Sequence, residues 1–85
     1  MIMNKTELLK TNLTARIDEV QNYQINIDNF ERSIKKIEEH YSDNEKMIEF
    51  KNHLIKLLEE NKTEQLKAII IRDVIEDQLK ELGEL

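Results

Sequence analysis

Residues 40–45 read His40-Tyr41-Ser42-Asp43-Asn44-Glu45, and this short polar stretch near the midpoint of 85 residues decides the fold. Ser42 followed three residues later by Glu45 makes a capping box. The hydroxyl can accept from an orphaned backbone N–H in the first turn of a helix, and the carboxylate can reach back to the cap. A helix is therefore expected to begin just after Ser42, and the chain before it has to turn.

Outward from that stretch, one hydrophobic repeat runs in both directions. Toward the N-terminus Tyr41, Ile37, Ile34, Phe30, Ile27, Tyr23, Val20, Leu13 and Leu9 recur at three- and four-residue steps, with Arg16 filling the gap. Toward the C-terminus the series is Met47, Phe50, Leu54, Leu57, Ala68, Ile71, Ile75, Leu82 and Leu85. That spacing places an apolar stripe along one side of a helix. Proline is absent and the single glycine is Gly83, so no strong breaker falls between residues 4 and 82. Asn4 to Thr6, with Glu7 in the first turn, reads as a helix start, and Gly83 suits a left-handed C-terminal cap. The expected architecture is all-α: a single helical domain over residues 1–85, built as a long antiparallel, coiled-coil-like hairpin. Its helices run over about 4–41 and 43–82, with the turn at 41–44.

A second break is conceivable at Asn61-Lys62-Thr63-Glu64, where Asn61 could cap a new helix with Glu64 at the reciprocal position. It would give a three-helix bundle. The heptad rows Leu54, Asn61, Ala68, Ile75, Leu82 and Phe50, Leu57, Glu64, Ile71, Gln78, Leu85 pass straight through, however. Asn and Thr each cost only up to about 0.7 kcal/mol relative to Ala inside a helix. The continuous helix is the favoured reading, and the break near Asn61 the alternative.

Assembly is legible in the second arm. Ala68, Ile71 and Ile75 continue the seam, whereas Leu66, Ile70 and Val74 step by four along another face, with Ile69 between. A helix that is apolar over most of its circumference is buried on more than one side, and one partner helix cannot cover both rows. Leu66, Ile69, Ile70 and Val74 are accordingly expected to form an oligomer interface, with two hairpins assembling into a four-helix bundle.

Chemistry is sparse by comparison. With no cysteine, a metal site would have to use His, Asp and Glu, and neither His40 nor His53 stands in a ligand pattern. One glycine cannot make a phosphate-binding loop, and no nucleophile elbow is present. No enzyme activity, cofactor or metal is expected. Five carboxamides lie between Val20 and Phe30 (Gln21, Asn22, Gln24, Asn26, Asn29), and Asn26 can set register by meeting a polar group of the facing helix. Arg16 in the seam, with Tyr23, Gln24 and the off-seam Ile25, marks a candidate partner-binding face. The bland reading of Arg16 is an ion pair at the edge of the core with a neighbour such as Asp18 or Glu19.

Composition bounds the partners. Charged residues at 36% and hydrophobic ones at 39% fit an ordered coiled-coil-like chain. A net charge of −5 argues against sequence-independent gripping of nucleic acid, which draws its affinity from neutralising phosphates. Met1-Ile2-Met3 leads at once into Asn4, Lys5 and Thr6 without the apolar run of a signal peptide, and no segment is long and apolar enough for a membrane span. A cytoplasmic location without membrane attachment is expected. Small size with Lys, Asn and Ile richness fits a bacterial or bacteriophage source. The functional expectation is a noncatalytic helical protein–protein interaction module: an adaptor, assembly factor or small inhibitor. It would pair with itself as a homodimer or higher even oligomer and with an unidentified protein partner. The alternatives are a nucleic-acid-binding bundle face using Lys35, Lys36 and Lys46, and a small-ligand or nucleotide site between subunits using Arg16, Tyr23 and the carboxamides.

Overall fold

The computed structural model describes residues 3–85; Met1 and Ile2, on which the leader reading begins, lie outside the described residues. Among the described residues there are two helices, α1 (Lys5–His40) and α2 (Glu45–Glu81). They lie side by side as a hairpin of 58 × 25 × 15 Å.

Each helix end has an identifiable stop or start. Asn4 caps α1, its Oδ1 accepting from the Glu7 N–H at 2.8 Å. At the other end of the molecule Gly83 takes φ 75°, the left-handed conformation that costs a residue without Cβ nothing. The Gly83 N–H donates to the Lys80 carbonyl at 3.0 Å and the Glu84 N–H to the Leu79 carbonyl at 2.9 Å, so a Schellman motif closes α2.

The turn differs from the expected one. Ser42 does not cap; Asn44 does, accepting from the Met47 N–H at 3.1 Å, and α2 starts at Glu45. The Asn44 N–H also donates to the Tyr41 carbonyl at 3.0 Å, closing a β-turn over 41–44. Asn and Ser are comparable caps. Shifting the cap to Asn44 leaves Ser42 and Asp43 free to reverse the chain. Tyr41, assigned to the core by its spacing, is the C-cap of α1 and is exposed.

No break occurs at Asn61, which rules out the three-helix alternative: α2 is continuous from Glu45 to Glu81. The polar groups that would have started a new helix are satisfied inside the old one. Asn61 Nδ2 donates to the Leu57 carbonyl at 2.8 Å, and Thr63 Oγ1 to the Glu59 carbonyl at 3.1 Å.

In α1 the covered residues are Thr6, Leu9, Leu13, Arg16, Glu19, Val20, Tyr23, Ile27, Phe30, Ile34 and Ile37: the expected heptad seam without Tyr41, extended by Thr6 and by Glu19, which pairs with Arg16. In α2 the seam is rotated from expectation. Met47, Leu54, Asn61, Ala68 and Ile75 do face α1, but the row beside them is Lys51, Leu58, Gln65, Arg72 and Leu79. Leu79 is 0% exposed and Leu58 is buried, whereas Phe50, Ile71, Leu82 and Leu85, all assigned to the seam by their spacing, are exposed. Facing the other row inward would have placed the Glu64 carboxylate at mid-seam, where an unpaired charge is costly. Lys51 and Arg72 have long stems that cover apolar surface while their heads reach water. Gln65 finds partners across the seam.

Candidate interaction surface

Halfway along the hairpin the seam turns polar. Gln65 Nε2 donates to the Val20 carbonyl at 3.2 Å and to Gln24 Oε1 at 2.9 Å, while Gln24 Nε2 donates to Asp28 Oδ1 at 3.1 Å. On the other side of the seam Asn26 Nδ2 approaches Asn61 Oδ1 at 3.4 Å. These carboxamides bind one another across the two helices. That is the register-setting role expected of Asn26, because sliding one helix past the other would leave each amide without its partner.

The four residues marked as a partner-binding face are divided between the seam, which holds Arg16 and Tyr23, and the exposed surface, which holds Gln24 and Ile25. Arg16 is half-buried in the seam and its NH1 pairs with Glu19 at 3.2 Å; its Nε is buried without a partner. Asp73 is engaged by Arg72, whose Nη2 lies 3.1 Å from Asp73 Oδ1. Tyr23 is half-buried, Gln24 is engaged by Gln65 and Asp28, and Ile25 is exposed on the far side.

α2 carries a different surface. Leu66, Ile70, Ile71 and Val74 are 60%, 63%, 47% and 51% exposed. At helical spacing they touch: 66, 70 and 74 form an i,i+4 ridge, and 71 fills the gap between 70 and 74. Ile69, assigned to the same interface by the sequence, is half-buried on the opposite flank at the edge of the seam. Ile71 was missed as a surface residue because its spacing fits the seam equally well. Phe50 lies further along the same row as Ile71 and is also exposed. The helix thus carries two overlapping heptad seams that share the row from Met47 to Leu82. α1 occupies one of them.

Around this patch the charges are mostly local pairs. Lys67 Nζ lies 2.9 Å from Glu64 Oε1, Lys62 3.9 Å from Glu59, and at the far end Lys10 ties Glu84 to α1 at 2.9 Å. Near the turn, where Lys35, Lys36 and Lys46 were considered for nucleic acid, Lys35 pairs with Glu39 at 3.8 Å and Asp43 and Glu45 interleave.

Concavities are shallow. One of about 380 Å³ is formed by residues Glu39 to Asn44 of the turn, and one of about 260 Å³ by Glu59, Glu60, Thr63 and Glu64 on α2. Among the described residues no group of three or more His, Asp or Glu side chains is arranged to hold a metal ion, and no helix is long and apolar enough to cross a membrane.

Known proteins supply no parallel: no family model, no curated protein and no solved structure matches the chain.

Proposed function

We propose that this chain is a noncatalytic helical interaction module that works through the outer face of α2, and that two hairpins associate through it into a four-helix bundle. One observation carries the reading. α2 turns Lys51, Asn61, Gln65 and Arg72 toward its own α1 and leaves Leu66, Ile70, Ile71 and Val74 facing water. A contiguous apolar patch on a small protein is where interaction sites lie, and a helix with two seams belongs in a bundle of more than two helices. Adaptor, assembly and inhibitor roles all use such a surface, with a second protein partner docking on the assembled bundle.

The variant Ile70→Asp with Val74→Asp tests it. Both positions are exposed in the hairpin, so helix content is expected to stay unchanged by circular dichroism. The melting temperature of the unmodified chain should rise with protein concentration, because association stabilises only the folded form, and that dependence should vanish in the variant. Equal, concentration-independent melting in both proteins refutes the proposal.

A further inference from the structure

Building on that reading, we infer that the occupant of the patch is the α2 helix of a second copy, running antiparallel about a two-fold axis that passes level with Arg72. The patch carries its own complement. Lys67 lies five residues before Arg72 and Asp77 five residues after it, on neighbouring heptad rows of the outer face. A two-fold rotation at the level of residue 72 brings Ile70 opposite Val74 of the partner subunit and Ile71 close to the partner's Ile71. It sets Lys67 opposite the partner's Asp77, and this happens twice by symmetry.

The parallel arrangement has no such match. It would stack Lys67 on Lys67, Asp77 on Asp77 and Glu81 on Glu81, and like charges face to face select against an orientation. The acidic end of the chain strengthens the choice. Asp73, Glu76, Asp77, Glu81 and Glu84 are accompanied there only by Arg72 and Lys80, whereas residues 56–67 hold Lys56, Lys62 and Lys67 against Glu59, Glu60 and Glu64. An antiparallel pair lays the acidic end of each α2 on the charge-balanced middle of the other. α1 covers a different side of α2, so it does not obstruct the contact.

Because the chain has no cysteine, single cysteines report the arrangement directly. Three variants, Ile71→Cys, Asp77→Cys and Lys67→Cys, are treated with a short bis-maleimide beside a sedimentation run on the unmodified protein. Ile71→Cys should cross-link to itself. Asp77→Cys should not, since its two copies would stand about 15 Å apart along the helix direction at 1.5 Å per residue, yet it should cross-link to Lys67→Cys when the two are mixed. Self-linking of Asp77→Cys in a dimer overturns the antiparallel geometry and leaves the interaction surface standing. So does a dimer in which neither Ile71→Cys nor the mixed pair links. A monomer at every concentration removes both the geometry and the reading on which it rests.

Discussion

Asn44 and Ser42 are two residues apart, both are good caps, and only one of them caps. Replacing Asn44 by Ala should lower stability by about 1 kcal/mol, whereas Ser42→Ala should stay within about 0.5 kcal/mol, since a surface residue away from a cap or core contributes little. Thermal melts of the two variants decide between them; a larger loss at Ser42 would move the helix start back to the capping box. Gly83 offers a second test. A Cβ added there meets nothing within 4 Å, so Gly83→Ala costs only the left-handed backbone, about 1–2 kcal/mol, and amide exchange should rise first at Glu84 and Gly83. At this scale Gly83 was legible as the sole glycine, and the first helix start was placed within Asn4 to Thr6, where Asn4 caps. The second helix start was not legible. Choosing between Ser42 and Asn44 depends on how many residues the reversal needs, and that follows from the packing of the arms rather than from local preference.

α2 shows why counting apolar positions misplaces a seam. Phe50, Leu57, Ile71 and Leu85 make the greasier row, yet the row containing Lys51, Gln65 and Arg72 faces α1. The decision lies in Glu64, which is spared burial, and in Gln65, which is satisfied by Val20 and Gln24; neither is visible until the facing helix is in place. In α1, by contrast, the flanking rows are polar, and its seam could be read almost residue for residue. The two α2 rows predict opposite mutational responses within one turn of helix. Leu79→Ala removes a fully buried side chain and should cost about 2–5 kcal/mol, while Leu82→Ala, at an exposed C-cap, should cost less than about 1 kcal/mol. Urea unfolding of both variants measures the contrast. Equal losses would mean that the helix is rotated toward the other seam. Continuity through Asn61 was correctly favoured, because an amide that binds the carbonyl four residues back and Asn26 across the seam has no need to start a new helix.

For the molecule as a whole, the hairpin is slender and its interior is partly polar, so its own packing leaves substantial apolar burial unused. Covering the exposed halves of Leu66, Ile70, Ile71 and Val74 is worth about 3–6 kcal/mol per chain at about 1.5–3 kcal/mol for each fully buried side chain. A dimer gains that from both chains, about 6–12 kcal/mol, against an association cost of roughly 4–15 kcal/mol. The balance points to association that depends on concentration rather than to an obligate pair. Sedimentation equilibrium of the unmodified chain over a wide concentration range reads that balance most directly. The account predicts a mass that climbs from the 10.2 kDa of one chain toward twice that value as concentration rises; a mass fixed at 10.2 kDa throughout would contradict it.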